Sequence, residues 1–121
     1  MPWTYNQSSG KISLDGKLIG TGYSGKGPGL NNPAMQDQRL VGPLPQGTYT
    51  IGPVFKHPEK GPVVMRLRPQ RGNQMFGRSG FLIHGDNRAV NHTASNGCII
   101  LGPAIRKQIS ASTDRTLIVT A

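Results

Sequence analysis

Residues 80–100 read GFLIHGDNRAVNHTASNGCII. The stretch opens on a short apolar run that ends at His84. It closes on a second apolar run that starts at the chain's only cysteine, Cys98. Two short strands joined by a polar connection put a histidine at the end of one and a cysteine at the start of the other. A lone cysteine cannot close an internal disulfide. It is either a small buried hydrophobe or a nucleophile with a base beside it. Cys98 starts its strand instead of lying inside it, and it follows the turn-forming Ser95-Asn96-Gly97. Both features favour the nucleophile, with His84 as general base, because covalent catalysis needs thiol and imidazole at converging strand ends.

Outward from this stretch the chain reads as further short strands. KISLDGKLIGTGYSG alternates about Asp15-Gly16, a hairpin dipeptide. LPQGTYTIGPVF is a strand interrupted at Gly52-Pro53. GPVVMRLRPQ sets Val64, Arg66 and Arg68 against Val63, Met65 and Leu67. CIIL and RTLIVTA complete the set. One helix is predicted from Pro103 to about Ser112, with Ala104, Ile105 and Ile109 facing the core. Residues 24–38 and 70–80 read as loops, and the first is long enough to suggest function. The expectation is a single domain over residues 1–121, mainly β, with one short C-terminal helix on a curled or two-sheet β framework.

Gly and Pro make up about a fifth of the 121 residues, a turn-rich composition just short of low complexity. Lys and Arg number 14 against 5 Asp and Glu, a net charge of +9. The basic residues are scattered and the seven aromatics do not interleave with them, so no nucleic-acid surface is predicted. A polyanionic wall or an acidic substrate accounts for the charge equally well. No segment has the apolar length of a membrane span, and the N-terminus MPWTYNQSSG lacks signal-peptide features.

The chemistry sets demands on the neighbours of Cys98. A free thiol is only about 3% ionised at pH 7, so a nearby imidazolium or aligned amides would be needed to lower its pKa. Gly97, without a side chain, would let a substrate carbonyl reach the amides of Gly97 and Cys98, an oxyanion hole. Ser95 either orients the imidazole or fixes the turn. Arg78 either pairs with a substrate carboxylate or is a solvated loop charge. Asp86 and Asn87 hold the loop through side-chain-to-backbone bonds, and Tyr23 lines the cleft or packs on the sheet. His92 touches substrate or is an exposed loop residue, and His57 is a turn residue. Three histidines and one cysteine lack zinc-ligand spacing, and no cofactor is predicted.

The pattern His84-Gly85-Asp86-Asn87, a loop, then Ser95-Asn96-Gly97-Cys98-Ile99 resembles the signature of the L,D-transpeptidase (YkuD-type) catalytic domain. VGPLPQGTYTIG, residues 41–52, is similar to the strand that precedes that family's active site, and the resemblance spans about residues 10–121. Two positions depart from it: Ile100 stands where many members have Arg, and Asp86 where many have Thr or Ser. Small size and the unheaded N-terminus make the chain most similar to the compact branch of type VI secretion effectors. The resemblance implies a cysteine enzyme acting on peptidoglycan stem tetrapeptides by L,D-carboxypeptidase, L,D-transpeptidase or D-amino-acid exchange chemistry. It implies Cys98, His84 and Ser95 as catalytic residues, and Arg78, Asp86, Asn87, Asn96 and Tyr23 against the substrate. Its expected partners are a stem peptide, a periplasmic immunity protein and a component of the secretion apparatus. The expected route is synthesis in the cytoplasm and action in a target's periplasm. A non-catalytic basic module for wall polymer or nucleic acid is the rival reading, and an ordinary cysteine peptidase the third.

Overall fold

The computed structural model describes residues 2–87 and 94–121, and all structural statements concern those residues. In chain order the elements are β1 (Trp3–Asn6), β2 (Lys11–Leu14), β3 (Lys17–Thr21), β4 (Tyr23–Ser24), β5 (Gly47–His57), β6 (Gly61–Pro69), β7 (Leu82–His84), β8 (Ile99–Ile100), α1 (Pro103–Ala111) and β9 (Thr116–Thr120). The strands form one sheet in the order β3-β2-β1-β9-β5-β6-β7-β8-β4. It is mixed: β1 runs parallel to β9 and β7 parallel to β8, and the other neighbours are antiparallel.

The two edge strands β3 and β4 are consecutive in the chain, with only Gly22 between them. A chain that leaves one sheet edge and joins the other within one residue requires the sheet to curl until its edges meet. Glycine is what permits the junction. The Gly22 N–H donates to the Gly10 carbonyl at 2.8 Å, and a Cβ on Gly22 would collide with the Ile100 carbonyl. Of the two expected architectures, the curled sheet is the observed one.

The core fills the inside of the curl with Trp3, Tyr5, Ile12, Tyr49, Ile83, Ile99 and Leu117, all without solvent exposure. β1 is the element that sequence pattern does not announce. Four residues after Pro2 are too few to establish a period, yet β1 lies inside the sheet between β2 and β9 and buries Trp3 and Tyr5. β5 runs on past Gly52-Pro53, which form a bulge, not an end. The carbonyls of Ile51 and Gly52 accept hydrogen bonds from Arg115, whose guanidinium also binds the Ile109 and Ser112 carbonyls at the end of α1.

α1 starts at Pro103 as predicted, with Ile109 buried and Ile105 packed against the core. Ala104 is exposed, a correction to the expected stripe. Arg106 is buried in its place and donates to the carbonyls of Leu101, Pro62 and Val63. The 24–38 segment is more ordered than a plain loop, with 3-10 turns at Gly27–Gly29 and Pro33–Met35.

Candidate active site

β7 and β8 lie side by side and parallel, with Ile83 opposite Ile99 and His84 opposite Ile100. This register sets Cys98, which leads into β8, beside the end of β7 that carries His84. The two converge on one cleft of ≈ 370 Å³, which both line. Imidazole and thiol thus line the same cleft. β8 begins at Ile99, which leaves Cys98 in the turn just before it, half-buried.

His84 is buried, and its Nδ1 lies 2.7 Å from the Gly85 carbonyl. A carbonyl only accepts, so Nδ1 carries the proton and Nε2 is left as the basic nitrogen. Burial pushes the His84 pKa down, opposed by the Gly85 bond and reinforced by the positive charge of Lys60. The imidazole is therefore neutral at physiological pH.

Burial pushes the Cys98 thiol up, against the expectation of a depressed pKa. Four features oppose the burial: the Leu82 N–H, which donates to Sγ at 3.3 Å, the charges of Lys60 and Arg78, and the Cys98 amide itself. The resting pair is thus thiol and neutral imidazole, and the thiolate forms as Nε2 takes the proton during attack.

The turn that presents Cys98 is wired by two buried hydroxyls. Ser95 Oγ donates to the Cys98 carbonyl at 2.6 Å and accepts from the amides of Gly25 at 2.9 Å and Gly97 at 3.0 Å. One donor and two acceptor sites exhaust a hydroxyl. Ser95 therefore fixes the turn and has nothing left to orient His84. Ser24, which sequence reasoning passed over, donates to the Gly97 carbonyl and accepts from the Leu44 amide. Because the Gly97 N–H is spent on Ser95, it cannot serve the expected oxyanion hole. Gly97 is needed for another reason: its φ is +132°, and a Cβ there would press on Arg78 and Phe81.

Arg78 differs from both of its expected roles. It is buried, stacks over the Phe81 ring at 5.1 Å, and donates to the carbonyls of Gln36, Pro43, Gly42 and Asn96. With those donors committed, it cannot grip a substrate carboxylate bidentately; it clamps the 36–43 loop to the turn before Cys98. Tyr23 is likewise buried, and its hydroxyl donates to Asp86 Oδ1 at 2.7 Å. The same carboxylate oxygen accepts from the Asn87 amide at 2.9 Å, the loop-holding bond expected of Asp86. Asn96 is exposed on the cleft wall. His92 lies outside the described residues. His57 is not the surface turn residue expected: it ends β5, lines the cleft, and accepts the Glu59 and Lys60 amides on Nδ1.

The sequence reading missed the opposite wall of the cleft. The tip of the β5–β6 hairpin supplies Glu59 and Lys60, and the 36–44 loop supplies Arg39 and Leu40. Turn residues at a hairpin tip carry no signal of what they face.

A family profile described as the Tlde1 domain matches residues 19–118. The chain belongs to the Tlde1 domain family. Membership bears out the resemblance to effector-type L,D-transpeptidases read from the 84–99 motif. Among solved structures the chain is similar to an L,D-transpeptidase from Mycobacterium smegmatis, with a TM-score of 0.51 and 19% identity. The match covers 98% of this chain and 58% of that one, so the likeness is one of fold. No curated protein sequence matches the chain.

Proposed function

We propose that this Tlde1-domain chain is a peptidoglycan-modifying cysteine enzyme that works on stem tetrapeptides. The observation that carries the reading is that His84, at the end of β7, and Cys98, in the turn leading into the adjacent parallel strand β8, line one cleft. His84 takes the thiol proton as Cys98 Sγ bonds to the carbonyl carbon on the L-centre of the third stem residue. The oxyanion forms beside the Cys98 amide, with the exposed Asn96 side chain as a second available donor. Collapse breaks the C–N bond, and His84 returns the proton to the departing D-amino acid, leaving a thioester on Cys98. Water then gives L,D-carboxypeptidase action, and an amine gives transfer or exchange. The basic surface supports binding to an acidic wall.

In the same reading the protein is a secreted antibacterial effector that acts in a rival's periplasm and is matched by an immunity protein in its producer. Mass spectrometry of muropeptides after incubation with isolated sacculi tests the reaction and substrate together. Tetrapeptides should lose or exchange the terminal residue; unchanged tetrapeptides would leave a non-catalytic wall-binding module as the better account.

A further inference from the structure

The cleft does not end at His84. A second cavity, of ≈ 310 Å³, shares His84, Glu59, Lys60 and Asn96 with the first, but Cys98 lines only the first. The second cavity continues along Gly85, Asp86 and Asn87, and Lys26 also lines it. Its volume is at the small end for ligand sites, enough for one amino acid. Two lysines reach it from separate elements, each on a fixed backbone. The Lys26 amide donates to the Val41 carbonyl at 2.9 Å, and the Lys60 amide to His57 Nδ1 at 3.0 Å. Among the described residues neither lysine is in a salt bridge. Glu59 and Asp86 add negative charge to the same walls, with Asp86 held by Tyr23 and Asn87.

Acyl transfer fixes what belongs there. The scissile carbonyl must lie over Cys98 Sγ, and the nitrogen that leaves or enters must reach His84 Nε2. The residue carrying that nitrogen then extends past His84, away from Cys98, into the second cavity. We propose that this cavity binds the departing or entering α-amino acid, with Lys26 and Lys60 taking its carboxylate. The assignment rests on the reaction proposed above. The mixed charge suits a zwitterion: the lysines take the carboxylate, while Glu59 and Asp86 favour the ammonium form on arrival. For an entering amino acid, the deprotonated amine forms the new C–N bond as the C–S bond breaks. The ammonium first gives one proton to solvent; as the amine attacks, a second passes to His84 Nε2 and then to the Cys98 sulfur, restoring thiol and neutral imidazole. Lys60 would also act on the pair directly, since its charge favours the thiolate and disfavours the imidazolium.

Binding can be read without turnover, by titrating D-alanine and D-alaninamide into the full chain and following the His84 imidazole resonances by NMR. D-alanine should bind at least tenfold more tightly than the amide. The preference should vanish in the Lys26→Met/Lys60→Met double variant and persist in Lys60→Arg. Equal binding of acid and amide by the unaltered protein would overturn the proposal, whatever the variants do. So would a preference that survives in a folded double variant. A protein that prefers D-alanine yet leaves stem tetrapeptides intact would uphold the carboxylate site and remove the proposed reaction instead.

Discussion

At the scale of the residue, burial and not charge sets the state of Cys98 and His84. The histidine pKa is lowered by burial below its ordinary value of about 6.5, and the thiol is raised above its ordinary value of about 8.5. The kcat/KM profile should therefore plateau between those values, with an acid limb centred below 6.5. Stability follows the same window. Below about pH 6.5 the unfolded chain protonates His84 first, and above about pH 8.5 it ionises Cys98 first, so each excursion destabilises the fold. Chemical denaturation across pH checks this: Cys98→Ala should flatten the alkaline side and His84→Gln the acid side. Activity should fall by at least about 10³-fold in Cys98→Ala and about 10²-fold in His84→Gln.

Arg78 belongs to the same scale. Removing a buried guanidinium that satisfies four carbonyls leaves each of them short of a partner. Arg78→Ala should cost about 3–5 kcal/mol of stability, read as a shift of the urea midpoint. A change below about 1 kcal/mol would contradict the clamp.

At the scale of the element, β1 and the Gly22 junction decide whether the site exists at all. β7 and β8 are three and two residues long, too short to stand without the sheet around them. The family match starts at residue 19, but β1 lies inside the sheet, between β2 and β9. A fragment of residues 19–121 should therefore fail to fold cooperatively, and a sharp thermal transition in that fragment would show β1 to be dispensable. Gly22→Ala should be destabilising by about 1–3 kcal/mol, because a backbone carbonyl must move to admit one methyl group.

The same elements show what was readable beforehand. Alternation and the Asp15-Gly16 turn place β2 and β3, and apolar runs place β7, β8 and β9, because each is a local pattern. β1 has too few residues for a period, and the Gly52-Pro53 bulge looks like a break until Arg115 is seen holding its carbonyls. The cysteine and histidine are legible as the rarest reactive residues beside turn signals. The roles of Ser95, Gly97 and Arg78 are not, because each also has a hydrogen-bond partner far away in the chain: Gly25, Ser24 and Gln36. Lys60 is invisible for a related reason: a lysine in a surface turn reads as solvated until the hairpin is seen to lean over the site.

At the scale of the whole molecule, the net charge of +9 divides in two. Arg78, Arg106 and Arg115 point into the fold and bind backbone carbonyls. Other basic residues, Lys11, Arg66 and Arg68 among them, are exposed and are what an acidic wall or an inhibitor with an acidic face would meet. If the proposed effector role holds, toxicity depends on compartment. The chain should be harmless in a bacterial cytoplasm, toxic when fused to a Sec signal, and harmless again as the exported Cys98→Ala variant. Growth of strains carrying these forms reads the outcome, and equal toxicity inside the cytoplasm would point to an intracellular target.

The proposed reaction passes through a thioester at Cys98, and hydroxylamine reports that intermediate directly. Purified stem tetrapeptide is incubated with the protein in excess hydroxylamine, and the products are weighed by mass spectrometry. The predicted product is the tripeptide hydroxamate together with the free terminal D-amino acid, with neither formed by Cys98→Ala. Release of the terminal residue at an undiminished rate by Cys98→Ala, or release with no hydroxamate at saturating hydroxylamine, would contradict it.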